Sequence, residues 1–187
     1  MPVRVAVFIS GRGSNMAALV QAARTPGYPA QIVLVLSDKP DAGGLAFAAS
    51  EGIEALAVDR KAYPSKPAFE AALTEALVAR DIDLVCLAGF MRLLPADFVE
   101  RWRDRLINIH PSLLPSFRGL DTHERALAAG VRIHGCTVHF VRAATDEGPI
   151  IVQAAVPVLP GDTPATLSAR VLAAEHTGHD VAARGVG

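Results

Sequence analysis

The sequence has little cysteine and almost no net charge, with two cysteines and a formal charge of −1 over 187 residues. Two cysteines make no disulfide framework. Cys86 and Cys136 each lie inside an apolar run, and they read as buried thiols of a reducing compartment. The charge balance offers no basic face for nucleic acid and no polybasic patch for a membrane surface. No apolar run approaches the ~18 residues of a membrane span; the longest candidate, 149–161, is interrupted by Gln153, Pro157 and Pro160. The N-terminus passes straight into a strand without the cleavage pattern of a secretory leader, so a cytoplasmic location is expected. What is present is 51% hydrophobic and 20% charged residues, which excludes disorder. A single domain over 1–187 is expected at this length, since domains usually run ~50–250 residues.

Short β-branched runs alternate with helical patterns. Strands are predicted at 3–9, 32–36, 55–58, 84–87, 106–109, 136–141 and 150–156. Helices are predicted after Asn15 and at 43–51, 67–80, 95–102, 122–129 and 164–174. This alternation implies an α/β, Rossmann-like architecture, with a mostly parallel sheet and helices on both faces. Such sheets bind ligands beyond the carboxyl ends of their strands.

Two strand ends carry candidate chemistry. After the first strand comes Gly11-Arg12-Gly13-Ser14-Asn15. Small residues there let backbone N–H groups approach an anion, and a helix N-terminus adds positive potential. Ser14 and Asn15 are candidate helix caps as well as donors. Met16 replaces the third glycine of a dinucleotide fingerprint, and no Lys-Ser or Lys-Thr follows, so the loop suits a monophosphate better than a pyrophosphate. A plain capping turn fits the same residues. After the fifth strand, Asn108 and His110 share a face, ~7 Å apart, and Pro111 ends the ladder. An amide donor beside an imidazole suits acyl transfer, where one holds an oxyanion and the other moves a proton; a structural histidine fits too. Asp146 sits in a polar loop, and a carboxylate that met His110 would orient it and favour its protonated form. Metal is not expected. Leu127 takes the place of the second histidine after His123-Glu124, and His134 and His139 face opposite sides of one strand. No Gly-x-Ser-x-Gly elbow marks a serine hydrolase.

The stretch Asn108-Ile109-His110-Pro111-Ser112-Leu113-Leu114-Pro115, with Phe117-Arg118-Gly119-Leu120-Asp121-Thr122-His123, resembles the folate-dependent formyltransferases. The segments 9–15, 87–92, 138–141 and 146–150 are similar to the purine-pathway branch of that family, and the resemblance runs over residues ~3 to 176. It implies that 10-formyltetrahydrofolate, as co-substrate, donates a formyl group to the amine of glycinamide ribonucleotide in de novo purine biosynthesis, with no metal, nucleic acid or membrane involved. It also implies a catalytic trio of Asn108, His110 and Asp146. Gly13, Ser14 and Asn15 match the phosphate loop, and Glu175 a ribose contact. Lys66, Met91, Arg92, Leu93, Leu94, Ala143 and Ala144 match the folate side, with His139 beside the site. Oligomeric state stays open, a homodimer being one option. The family continues past Glu175-His176 with an aromatic-Pro pair and a further terminal helix, whereas 177–187 shows no helix-long apolar face, which reads as a shortened or altered end.

Three alternatives remain at this point. Methionyl-tRNA formyltransferases share Asn-x-His and Ser-Leu-Leu-Pro but add a basic domain. Formyltetrahydrofolate hydrolases place a regulatory domain before the first strand. A catalytically silent nucleotide- or folate-binding module is the third.

Overall fold

The computed structural model describes residues 1–185, with side chains to His176. Seven strands form one sheet in the order β3-β2-β1-β4-β5-β6-β7. These are β1 (Val3–Ile9), β2 (Ala30–Ser37), β3 (Glu54–Ala57), β4 (Leu84–Leu87), β5 (Leu106–His110), β6 (Ile133–Phe140) and β7 (Ile150–Pro157). The first five are mutually parallel; β6 and β7 turn antiparallel. Only the short segment 141–149 joins β6 to β7, too short for the crossover that parallel neighbours need.

Because side chains alternate along a strand, β1 feeds both faces. Val5, Val7 and Ile9 join one core with Met16, Leu19, Ala126, Leu167 and Val171, while Ala6 and Phe8 join another with Phe69, Leu73, Leu77, Phe98 and Trp102. Helices α1 (Ser14–Ala23), α2 (Gly43–Ser50), α5 (Thr122–Ala128) and α6 (Pro164–Gly185) therefore cover one face, and α3 (Lys66–Val78) and α4 (Ala96–Arg101) the other. Ser65 starts α3, its hydroxyl accepting from the Ala68 N–H at 3.2 Å. The predicted last helix stops at Ala174, but α6 runs on to Gly185. The side chains behind the sequence reading of 177–187 lie outside the described residues. Cys86 and Cys136 are free and buried, and burial pushes their thiols up to about 12 and about 11. Among the described residues no helix is long and apolar enough to cross a membrane.

This topology gathers the loops after β1, β2, β4 and β5 at one edge of the sheet. Antiparallel β6 ends beside the start of β5, and its 141–149 connection folds back to bring Asp146 to His110.

Candidate active site

At that edge lies a cleft of about 520 Å³, within the range of small-molecule sites. Leu87, Phe90, Leu94, Val99 and Val141 give it an apolar wall. Asn108, His110, His139 and Asp146 also line it and stand together.

His110 is the last residue of β5 and is buried. Its Nε2 donates to the Phe117 carbonyl at 3.0 Å, because a carbonyl can only accept. Phe117 presents that carbonyl from a left-handed backbone (φ 54°), a conformation that costs a bulky residue ~1–2 kcal/mol and persists only where surrounding contacts offset it. The surroundings are well tied. Thr137 donates its hydroxyl to the Ser112 carbonyl at 2.7 Å and accepts the Leu114 N–H at 3.0 Å. Ser112 Oγ reaches the Ser116 carbonyl at 2.6 Å, and Thr122 Oγ1 the Pro111 carbonyl at 2.7 Å. The Ser-Leu-Leu-Pro run is thus fastened to β6 and α5, and His110 is left with Nδ1 for other work.

Asp146 faces that nitrogen. Its Oδ2 lies 3.5 Å from His110 Nδ1 and accepts the Gly119 N–H at 2.8 Å. Asp146 is itself left-handed (φ 56°), a conformation that aspartate tolerates better than most residues. Two residues on, only glycine fits: a Cβ at Gly148 would sit 1.5 Å from the Phe140 carbonyl oxygen. The Asp146 loop therefore hugs the end of β6, which brings the carboxylate to the histidine.

Asn108 pairs across the ladder with His139. Its Nδ2 lies 3.3 Å from His139 Nε2, while His139 Nδ1 reaches the Phe140 carbonyl at 3.0 Å. The network assigns the tautomer: Nδ1–H donates and the bare Nε2 accepts from the amide. Burial holds His139 below the usual histidine range, against the opposing pull of the Phe140 carbonyl and Asp146, which agrees with that neutral form. Beyond lying beside the site, His139 lines the cleft and fixes the orientation of Asn108. The second hydrogen of the amide stays free for the cleft.

At the far end, Asn15 Nδ2 donates to Glu175 Oε2 at 2.8 Å across 160 residues of sequence, and Asn15 Oδ1 is buried without a protein partner. Neither Ser14 nor Asn15 caps α1, contrary to the sequence reading. Gly13 is the N-cap, left-handed at φ 72°, and no side chain closes the helix end. The first N–H groups of α1 are therefore left to an external acceptor. Asn15 and Glu175 line the cleft; Gly13 and Ser14 do not, Ser14 being exposed.

Burial raises Glu175 above the usual carboxylate range, opposed by the Asn15 hydrogen bond and by the charges of His176 and His110. A carboxyl whose folded pKa is raised contributes stability that is fully present below its unfolded value and lost as pH rises through the folded value. Glu175→Gln keeps the acceptor for Asn15 and removes the ionisation. Its Tm is expected to exceed that of the parent at pH 7, with the gap closing toward pH 4. Thermal unfolding at both pH values checks this, and a gap independent of pH contradicts it.

Met91, Arg92, Leu93 and Leu94 all line the cleft, as do Arg142, Ala143 and Thr145; Ala144 and Lys66 do not, Lys66 being exposed at the start of α3. The loop after β5 and the first turn of α5 also contribute Leu120, Thr122 and His123, which the sequence reading left out of the site. Their signal was their place just beyond a strand's carboxyl end, and His123 had been weighed only as a metal ligand. It instead meets His134 at 3.3 Å, outside the trio. Among the described residues no group of three or more histidine, cysteine or carboxylate side chains is arranged to hold a metal ion.

Comparison with known proteins gives a consistent picture. The profile of the formyl transferase family matches residues 3–181. A phosphoribosylglycinamide formyltransferase of Escherichia coli K12 is 42% identical over 174 residues, covering 93% of this chain and 82% of the relative. The trifunctional purine biosynthetic protein adenosine-3 of Bos taurus is 51% identical over 173 residues, covering 92% of this chain; the chain spans only 17% of that protein's length. The crystal structure of phosphoribosylglycinamide formyltransferase from Brucella melitensis is 55% identical, with a TM-score of 0.96 over 99% of this chain and 95% of that one.

Proposed function

The chain belongs to the formyl transferase family, and on that premise we propose how a single domain of this kind moves the formyl group of 10-formyltetrahydrofolate to the amine of glycinamide ribonucleotide, a step of de novo purine biosynthesis. The observation that carries the account is the meeting of Asn108, His110 and Asp146 on one wall of a cleft whose two ends differ in character. One end, at Asn15 and Glu175, is polar and adjoins an uncapped helix N-terminus, which suits a phosphate and a ribose. The other, from Leu87 to Val99 with Val141, is apolar and suits a flat ring system, so the folate lies there against residues 91–94 and Ala143.

With the two substrates held in line, the amine lone pair attacks the formyl carbon and a C–N bond forms. The carbonyl π pair moves onto oxygen. Asn108 donates its free Nδ2 hydrogen to that oxyanion, and His110 donates from Nδ1, the nitrogen not committed to Phe117. Asp146, beside the same nitrogen, supports the imidazolium and receives the proton lost by the attacking amine, through water. The oxyanion pair then re-forms the carbonyl, the C–N bond to the folate breaks, and the folate nitrogen takes up through water the proton that Asp146 received. Tetrahydrofolate and the formylated ribonucleotide result. No covalent enzyme intermediate is needed, and alignment supplies much of the rate.

The two-ended cleft is testable by calorimetry. Ser14→Ala combined with Asn15→Ala is expected to weaken ribonucleotide binding about tenfold, the scale of losing hydrogen bonds to a charged group, with little change in folate affinity. The reverse pattern removes the 11–15 loop from the phosphate site.

A further inference from the structure

One buried carboxylate plays no part in this chemistry. Asp38 follows β2 directly, is 4% exposed and does not line the cleft. Its Oδ1 accepts the Ser10 hydroxyl at 2.6 Å, and its Oδ2 accepts Arg92 Nε at 3.1 Å. Ser10 Oγ in turn accepts the Met91 N–H at 2.9 Å, and the Ser10 N–H donates to the Gly89 carbonyl at 3.1 Å. The chain of bonds crosses three neighbouring strand ends, from β2 to β1 to the segment after β4, and finishes on two residues of the cleft wall. Arg92 is steadied further by the Phe69 ring, 5.9 Å from its guanidinium carbon.

A desolvated carboxylate is costly unless paired and hydrogen-bonded, and removing one partner of such a group costs more than the pair contributes. The 89–94 segment lacks regular structure apart from bends, so little else on its own backbone sets its path. We propose that Asp38 is a positioning residue: through Ser10 and Arg92 it fixes the backbone of 91–92 and so the affinity of the cleft for the folate. This rests on the reading of that wall as the folate side. Asp38 touches no substrate; it acts through the residues that do.

The test compares Asp38→Ala, Asp38→Asn and Ser10→Ala with the parent in steady-state kinetics for both substrates and in amide hydrogen exchange at Met91. Asp38→Ala is expected to raise KM for 10-formyltetrahydrofolate about tenfold, the usual scale of losing a charge-assisted hydrogen bond, while KM for the ribonucleotide stays put. It should also speed exchange at the Met91 amide. Asp38→Asn can accept from Arg92 through its oxygen and donate to Ser10 Oγ through its amide, so it should restore both readouts most of the way. Ser10→Ala, a smaller change to the fold, should speed Met91 exchange and raise the folate KM. Equal rises in both KM values, or Met91 exchange unchanged in both Asp38→Ala and Ser10→Ala, would overturn the proposal. Absence of formyl transfer by the parent chain would instead sink the reading of the reaction, and the exchange data would still decide the role of Asp38.

Discussion

Replacing His110 with alanine is expected to lower kcat by ~10²-fold or more, the scale of losing a general acid or an oxyanion donor. The expectation follows from geometry. The imidazole has one nitrogen spent on the Phe117 carbonyl and one turned to the cleft beside Asp146. Phe117, Thr137 and Thr122 position the ring but offer nothing in its place. Asn108→Ala should act on the same scale by removing the second donor. It should also leave His139 Nε2 buried without its partner, so part of its effect will appear as lost stability. Stopped assays at saturating substrates, with unfolding midpoints measured alongside, separate the two contributions. Near-normal turnover in either variant would take that residue out of the reacting set.

Asp146→Asn is the second large effect, again ~10²-fold or more in kcat. The substitution preserves shape but removes the negative charge beside His110 Nδ1. It also sets up a conflict. The side chain must keep an oxygen toward the Gly119 N–H, which turns its amide toward His139 Nε2, the side of the present Oδ1 at 3.9 Å. A new bond there would compete for the lone pair that now orients Asn108. Loss of kcat with both KM values near those of the parent is the expected signature of a group acting on the transition state. A rise in KM with kcat preserved would mean that Asp146 serves only to hold the 117–119 loop.

Much of this was legible in the sequence because the sheet is built from local patterns. The run 84–87 is uninterrupted and apolar, and β4 has those bounds. The Asn108–His110 spacing and the proline after it placed two side chains at a strand end, and both line the cleft. What periodicity could not give were contacts closed by topology. Asn15 and Glu175 meet only because α1 and α6 lie on the same face of the sheet. Asp38 reads as an ordinary loop carboxylate, and its burial depends on two other strand ends. The role of His139 depends on the pairing of β6 with β5, which places its ring against Asn108. Ser14 and Asn15 were expected to cap a helix that Gly13 begins, since a left-handed glycine can do so without a side chain. Lys66 came from resemblance alone, and it lies at an exposed helix start outside the cleft lining.

The most direct test of the central claim is formyl transfer itself. Purified protein is mixed with 10-formyltetrahydrofolate and glycinamide ribonucleotide, the change in folate absorbance is followed, and the ribonucleotide product is identified by mass. One formyl group gained by the ribonucleotide for each tetrahydrofolate released is expected, at a rate unaltered by prior dialysis against a chelator. Binding of both compounds without transfer, or a rate that vanishes on dialysis and returns with zinc, would contradict it.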